Sequence, residues 1–236
     1  MKLLGVILAF IINSFANNSV YIWSKEFKES NEKIIYFLKK HNINVALVSV
    51  SKDIDIKKLN DFLKYDIKVE FLIGDNSWIY PSKREKIDLK IKFIEQFQNF
   101  YIHLDIEPHT LKELKPYREK YLDMYIKMLK YIKTKYPKYH ISISIPTFYY
   151  IEYIEKMDRY IDKIYLMAYE YKKLSQLQKR VQKFDKFKSK IVVAFNCKDY
   201  KTKYQLENDI KFIKQLGYKN IAFHSFETLK DLYETQ

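Results

Sequence analysis

Residues 100–107 read FYIHLDIE, and residues 140–146 read HISISIP. Both are short apolar runs with alternating side chains, which is the pattern of a β-strand. Between them, residues 121–132 carry apolar side chains at helical spacing, in a segment that Pro116 opens and that ends before Pro137. A strand, a helix and a second strand in this order predict two parallel strands joined by a right-handed crossover.

The same unit repeats along the whole chain. Strands are predicted near residues 19–23, 44–50, 67–73, 100–107, 140–146, 162–169, 190–196 and 219–225. No long Gly/Pro/Ser-rich linker interrupts them, so we predict one α/β domain over residues 17–236, a single closed (β/α)8 TIM barrel. A doubly wound open sheet is the alternative, but eight evenly spaced units favour closure.

The N-terminal residues have the pattern of a signal peptide. Lys2 precedes an apolar run over residues 3–12, and Ser14 and Ala16 place small side chains on either side of one position. We therefore predict a cleaved signal peptide over residues 1–16 and a secreted or periplasmic protein. The apolar run is too short to cross a bilayer comfortably, so no stable membrane insertion is expected after cleavage. An uncleaved anchor or a buried first helix is the alternative.

Composition narrows the range of partners. The formal net charge is +14, from 43 Lys+Arg against 29 Asp+Glu, which favours anionic partners such as wall polymers or acidic polysaccharides. The lysines are spread over solvated helix faces without a basic patch, so no nucleic-acid partner is predicted. Cys197 is the single cysteine, and no phosphate-binding glycine loop, HExxH or GxSxG motif occurs. We expect a monomer without a cofactor.

Ionisable side chains alternate with aliphatic ones along the fourth predicted strand. His103, Asp105 and Glu107 are therefore expected to point into the barrel, and Ser142 and Ser144 do the same on the fifth strand. Three ionisable groups in a barrel interior are costly unless they are paired or solvated. Since active sites of such barrels lie at the carboxyl ends of the strands, we predict a functional site here rather than a structural ion-pair network.

Polar and aromatic residues at other strand ends are predicted to complete the site. Rings beside carboxylates suit sugars, whose faces offer C–H groups for stacking and hydroxyls for hydrogen bonds. For any single ring, ordinary core packing is the alternative, because aromatic residues make up 17% of the chain. Trp78, in the polar loop GDNSWIYPS, is the ring most expected to touch a ligand. The candidate substrate-binding residues are His103, Asp75, Trp78, Trp23, Glu170, Asn196, Phe226 and Glu227.

At LDIEP and LMAYEY the sequence resembles the family-18 glycoside hydrolases, the chitinase-like barrels. That family carries an aspartate-rich signature ending in Asp-x-Glu on the fourth strand, which residues 105–107 match. It also carries Met-x-Tyr-Asp on the sixth strand, which residues 167–170 match with Glu170 in place of Asp. The family's two earlier aspartates would fall on Phe100 and His103, and its usual glycine is missing from this segment.

The resemblance implies a glycosidase that acts on a polysaccharide bearing N-acetyl groups. It implies that Glu107 is the general acid, that Asp105 orients the 2-acetamido group, and that Tyr169 hydrogen-bonds this group as it attacks C1. The apolar barrel and Asp105 should raise the pKa of Glu107. In the ordinary retaining scheme Glu107 pairs instead with a second carboxylate about 5 Å away, for which Glu170 and Glu227 are candidates.

Two other functions remain open at this stage. The first is a metal-dependent hydrolase that uses His103, Asp105, Glu107 and His109, which are all possible ligands, although a strand spreads them over roughly 20 Å. The second is a glycan-binding protein without catalysis, which the missing aspartates favour. The sequence as a whole favours a glycoside hydrolase of extracellular or cell-wall polysaccharide, with no metal.

Overall fold

Eight parallel strands pair in chain order, and the last strand pairs again with the first, so the sheet is a closed barrel. The strands of this computed structural model are β1 (Asn18–Ile22), β2 (Ile43–Ser49), β3 (Lys68–Ile73), β4 (Tyr101–Leu104), β5 (Ile141–Pro146), β6 (Lys163–Met167), β7 (Ile191–Asn196) and β8 (Asn220–His224). The prediction of a closed (β/α)8 TIM barrel is confirmed. The structure describes residues 17–50, 54–97 and 101–234, so the predicted signal peptide and Phe100 lie outside the described residues.

In the described residues an α-helix follows each strand. The helices are α1 (Asn31–Lys40), α2 (Ile56–Lys64), α3 (Arg84–Ile94), α4 (Arg118–Lys135), α5 (Ile151–Met157), α6 (Leu174–Gln182), α7 (Lys203–Gln215) and α8 (Phe226–Glu234). The apolar stripe predicted for α4 is buried, with Tyr125, Met128 and Ile132 at its centre. None of the helices described here has both the length and the apolar character needed to cross a bilayer.

The strand alternation sorts the apolar side chains into two clusters. The larger cluster lies between the sheet and the helices and contains Ile102, Leu104 and Ile143. The smaller cluster fills the barrel interior and includes Tyr21 and Tyr165. Full burial of each such side chain contributes about 1.5–3 kcal/mol, so the two faces of every strand stabilise the barrel.

The fourth strand is shorter than the alternation predicts. β4 ends at Leu104, although the N–H of Asp105 still donates to the carbonyl of Ile73 at 3.0 Å. The prediction that the strand continues to Glu107 is wrong because Pro108 has no N–H and begins a 3₁₀ turn. Asp105 and Glu107 therefore stand at the rim of the barrel, beyond the regular sheet, whereas His103 stays within β4.

Gly74 lies at the point where the end of β3 meets the backbone of Asp105. A Cβ atom on this residue would lie 2.0 Å from the carbonyl oxygen of Asp105, which is far inside van der Waals contact. Glycine is needed here because the two chains approach each other closely, and the same approach fixes the backbone that carries Asp105.

We predict that Gly74→Ala lowers the free energy of unfolding by about 3 kcal/mol, because two backbone segments must separate to admit the methyl group. Urea denaturation of both proteins measures this difference. The matched control is Gly217→Asn at a position with φ 89°, where the nearest atom to an added Cβ is 3.7 Å away. Asparagine tolerates left-handed backbone, so this change should cost only about 1 kcal/mol. Equal losses in the two variants would contradict the close-approach explanation.

Candidate active site

A cleft of about 700 Å³ opens at the carboxyl ends of β4, β5 and β6. Its lining combines two predicted catalytic residues, Glu107 and Tyr169, with cationic residues of α6 and the residue after it. The lining comprises Glu107, His109, Pro146, Thr147, Phe148, Met167, Tyr169, Glu170, Lys179, Arg180 and Lys183. The position of this cleft is the one expected for the active site of a (β/α)8 barrel.

The backbone of Glu107 is held by the turn that follows β3. Its N–H donates to Oδ1 of Asn76 at 2.6 Å, and Nδ2 of Asn76 donates to the hydroxyl of Thr110 at 2.7 Å. The Thr110 hydroxyl in turn donates to the carbonyl of Glu107 at 2.7 Å. Sequence reasoning missed Asn76, whose only signal was its place in the polar loop after Gly74. These three bonds orient the segment that carries the candidate acid.

The carboxyl groups of this rim hold their protons more tightly than free carboxyl groups do. Burial raises the pKa of Glu107, and the neighbouring Asp105 raises it further. Burial also raises the pKa of Asp105, while the hydroxyl of Ser144 acts in the opposite direction. Burial and the charges of both carboxyls raise the pKa of Tyr169 well above its usual value, so its hydroxyl stays protonated. The site therefore offers carboxyl groups with raised pKa values beside a protonated phenol.

His109 forms the wall beside Glu107. Its Nε2 lies 3.8 Å from Oε2 of Glu107, and its Nδ1 lies 3.2 Å from the hydroxyl of Tyr149. The ring of Phe148 packs edge-on against the imidazole, with centroids 5.0 Å apart. Burial and the nearby Arg118 lower the pKa of His109, so the imidazole is neutral at pH 7. It gives the acid a polar neighbour without an opposing charge.

His103 lies below the cleft, completely buried in the barrel interior. Its Nδ1 is 2.8 Å from the hydroxyl of Ser142 and its Nε2 is 2.9 Å from the hydroxyl of Ser144. Ser142 donates to Oε2 of Glu70 at 2.7 Å, and Lys163 bonds the other oxygen of Glu70 at 2.8 Å. A continuous polar chain thus runs through the barrel from Lys163 to the serine under the site. The inward orientation predicted for both serines is confirmed.

This polar chain of hydrogen bonds also fixes the protonation state of the His103 imidazole. Burial opposes ionisation of Glu70, but Lys163, His103 and Ser142 together outweigh it and lower the pKa of this carboxyl. Because Ser142 gives its proton to the carboxylate, its oxygen accepts from Nδ1–H of His103, and Nε2 is left as an acceptor. Burial lowers the pKa of His103 to about 4, so the ring is neutral at pH 7. The predicted contact between His103 and substrate is therefore corrected to a structural position one layer deeper.

The buried position of His103 also concerns the alternative of a metal-dependent hydrolase. Both nitrogens of His103 are occupied by serine hydroxyls, so this residue does not join Glu107 and His109 at the cleft. Within the described parts of the chain, no group of three His, Cys, Asp or Glu side chains is placed to hold a metal ion.

Aromatic rings line the mouth of the inner barrel between β1, β6 and β8. Trp23 stacks on Tyr21 with centroids 6.4 Å apart and meets the ring of His224 edge-on at 5.7 Å. His224 also lies 5.9 Å from Tyr169. The ring of His224 thus lies between Trp23 and the candidate catalytic residue Tyr169, which places Trp23 at this rim.

Of the predicted substrate-binding residues, Glu170 lines the cleft, and three of the others have clear structural roles instead. Trp78 is only 5% exposed and belongs to the outer core, and Phe226 is buried against Phe37 with centroids 5.4 Å apart. Glu227 is exposed and pairs with Lys25 at 2.7 Å. These predictions are corrected: the two rings fold back under the helices, and the carboxylate belongs to a surface ion pair.

Two further predicted residues cap short turns. Asp75 is exposed and accepts from the N–H of Ser77 at 2.8 Å, and Asn196 accepts from the N–H of Lys198 at 3.2 Å. Their short polar side chains satisfy the first N–H groups of a 3₁₀ turn, which explains their place at or just beyond the end of a strand. Glu170 does line the cleft. Its side chain is exposed, and its backbone φ angle is 53°.

The fold is a closed (β/α)8 barrel with a cleft at the carboxyl ends of its strands, and several solved structures are similar to it. A chitinase from Bacteroides thetaiotaomicron superposes with a TM-score of 0.73 at 14% identity, covering 91% of each chain. The glycoside hydrolase domain of PelA from Pseudomonas aeruginosa gives 0.60 at 6% identity, covering 89% of this chain and 95% of its own. Active domain 2 of a chitinase from Pyrococcus furiosus gives 0.56 at 12% identity, covering 88% and 83%.

The chain therefore has a chitinase-like barrel fold. No protein-family model and no curated protein sequence matches it. At these identities the comparison establishes the fold, and the chemistry has to be argued from the residues of the cleft.

We predict that Ser142→Ala lowers the free energy of unfolding by about 2 kcal/mol, because it removes one hydrogen bond from the buried Glu70 carboxylate and leaves Nδ1–H of His103 without a partner. Urea denaturation measures the loss, and Ser189→Ala on an exposed residue is the matched control.

In the wild type, the imidazole signals of His103 should stay those of the neutral ring from pH 8 to pH 5. A His103 ring that titrates near its usual value of 6.5 would contradict the proposed chain.

Proposed function

We propose that this protein is a glycoside hydrolase that cleaves an extracellular or cell-wall polysaccharide, with Glu107 as the general acid. The observation that carries this proposal is the Glu107 carboxyl itself. It stands half-buried on the cleft, its backbone is fixed by Asn76, and its pKa is raised by burial and by Asp105. A carboxyl in such surroundings is protonated at higher pH than a free one, as proton donation to a leaving group requires.

The proposed reaction follows from the groups around this acid. Glu107 gives its proton to the glycosidic oxygen as the bond from C1 to that oxygen breaks. The carbonyl oxygen of the substrate's 2-acetamido group attacks C1, while Asp105 orients this group and the hydroxyl of Tyr169 hydrogen-bonds it. Water then opens the cyclic intermediate, and Glu107 takes the proton of that water. Proton donor and acceptor are thus one residue, and no enzymic nucleophile is needed.

The placement of the other carboxylates supports substrate assistance over an enzymic nucleophile. Glu227 lines a separate shallow pocket and is held by Lys25, so it does not face Glu107. Glu170 lines the cleft but is exposed at its rim. An exposed, solvated carboxylate is a weaker candidate nucleophile than an acetamido group that the substrate itself carries to C1.

A second function, glycan binding without cleavage, is supported by one observation. His103 occupies the position at which the chitinase-like family has an aspartate, and here it is neutral and bonded to serines. A protein with this substitution keeps the cleft but has one carboxylate fewer beside the acid. The experiment below separates the two functions.

We predict that Glu107→Gln lowers the rate of glycan cleavage at least about 100-fold, because the amide cannot protonate the leaving oxygen. Release of reducing ends from chitin oligosaccharides, peptidoglycan and acidic exopolysaccharides measures the rate, with EDTA as the control for a metal. De-N-acetylated chitin oligosaccharides should resist cleavage, since they lack the attacking group. The matched control is Glu152→Gln, an exposed carboxyl of α5 outside the cleft, which should retain wild-type activity.

The pH profile gives an independent readout of the same experiment. The acid works only when protonated, so the wild-type rate should fall as pH rises through the raised pKa of Glu107, above the usual value of 4.5. Binding of a glycan by a wild type that cleaves nothing in the panel would overturn the hydrolase and support the binding protein. Loss of cleavage with EDTA would favour the metal-dependent alternative.

We also propose that the protein is exported and acts as a monomer outside the cytoplasm, supported by the apolar run over residues 3–12. The prediction is that protein recovered from the periplasm or culture medium begins at Asn17, because cleavage follows Ala16. Intact mass measurement of the recovered chain tests this. An Ile7→Arg variant, with a charge inside the apolar run, should stay uncleaved and serves as the control. Recovery of the uncleaved wild type from the membrane fraction would instead show an anchor.

A further inference from the structure

Cationic side chains form one wall of the cleft. Lys179 and Arg180 project from α6, and Lys183 follows directly after that helix. Lys179 and Lys183 are four residues apart and therefore share one face of the chain at this end of the helix. Glu107 and His109 line the same cleft.

Two of these cations, Arg180 and Lys183, are oriented by neutral partners. Nη1 of Arg180 donates to the carbonyl of Tyr169 at 2.8 Å, and Nζ of Lys183 donates to the carbonyl of Tyr149 at 3.0 Å. In the described part of the chain, none of the three forms an ion pair with a carboxylate. Their charges are therefore directed at the cleft without being neutralised.

Nearby lysines that do not line the cleft form ion pairs with carboxylates. Lys186 pairs with Glu155 at 2.6 Å, and Lys190 pairs with Asp158 at 2.8 Å. The same short stretch of chain thus neutralises its outward lysines and leaves those of the cleft unpaired. A general excess of lysine does not by itself produce this difference.

A fourth cation strengthens the positive field of this wall. Arg118 lies over the rings of Phe148 and Tyr150, at 5.4 and 4.9 Å from their centroids. Partial burial and Arg118 together lower the pKa of Lys183. The residues that line the cleft include these three cations and two carboxyl groups, Glu107 with its raised pKa and the exposed Glu170. The cleft therefore carries an excess of positive charge.

We infer that the cleft binds an anionic polysaccharide, in which sugars near the cleaved bond carry carboxylate groups that pair with Lys179 and Lys183. This inference rests on the proposed function and names its substrate class. Neutral chitin-type chains would leave two ammonium groups facing uncharged hydroxyls, whereas a uronate gives each ammonium a charge-assisted partner. Arg180 holds the loop after β6, and its guanidinium adds to the same field.

Binding is measured by calorimetry in the Glu107→Gln background, so that no cleavage occurs. The anionic probe is a hyaluronan hexasaccharide, which alternates glucuronate with N-acetylglucosamine. The neutral probes are its carboxyl methyl ester and chitin hexasaccharide. We expect the hyaluronan hexasaccharide to bind more tightly than both neutral probes, and its affinity to fall as NaCl rises from about 50 to about 300 mM.

The double variant Lys179→Gln with Lys183→Gln should weaken binding of the hyaluronan hexasaccharide about fivefold and leave the neutral probes unchanged. The matched control is Lys127→Gln with Lys130→Gln, two exposed lysines of α4, which removes the same net charge away from the cleft. Equal weakening by both double variants, or equal binding of the methyl ester, would overturn the inference.

The outcomes for the substrate class and for the hydrolase are distinguishable. Cleavage of chitin oligosaccharides that depends on Glu107, without preferential binding of the anionic probe, leaves the hydrolase standing and overturns the anionic class. Lysine-dependent binding of hyaluronan hexasaccharide by a wild type that cleaves no glycan supports the anionic class and overturns the hydrolase.

Discussion

The contact between Gly74 and the carbonyl of Asp105 is the constraint on which the geometry of the cleft depends. The end of β3 can approach β4 this closely only without a side chain at residue 74. The approach sets where the regular sheet stops, and the turn after β3 then places Asn76 against the backbone of Glu107. The absence of a side chain at Gly74 therefore helps to determine where the carboxyl group of Glu107 lies. Strand ends that are fixed by their neighbours make this rim suitable for chemistry.

Below the rim, the barrel interior combines apolar filling with one polar chain. Glu70 and His103 are both almost inaccessible to water, and burial of either group alone would be costly. Lys163 neutralises the carboxylate from the base of the barrel, and serine hydroxyls satisfy the imidazole. Because every member has a partner, the chain fixes the position of Ser144, whose hydroxyl is within hydrogen-bonding reach of both His103 and Asp105. A single serine thus stands between the polar chain of the core and the ionisable rim.

The sequence predicts the barrel well because its signal is periodic, and strand alternation depends on backbone geometry alone. Alternation cannot distinguish a side chain at the cleft from one a layer deeper, which is why it predicts a substrate contact for the enclosed His103. Outside the strands no such rule holds. The large ring of Trp78 gains more free energy in the core than at the rim of its polar loop. Asn76 bonds a segment 31 or more residues away, and no local pattern records that contact. The lysines of α6 resemble any solvated helix face until the fold shows which of them lack a carboxylate partner.

The cations of the cleft do not act directly on Glu107, and this affects the pKa of the acid itself. Cations in direct contact with Glu107 would lower its pKa and impair proton donation, but burial and Asp105 dominate its surroundings and raise the pKa. The cations stand on α6 and the residue after it, and His109 beside the acid is neutral. A bound carboxylate near Glu107 would add negative charge to the site and raise the pKa of the acid further. An anionic substrate therefore helps to keep its own proton donor protonated, so that binding and catalysis act in the same direction.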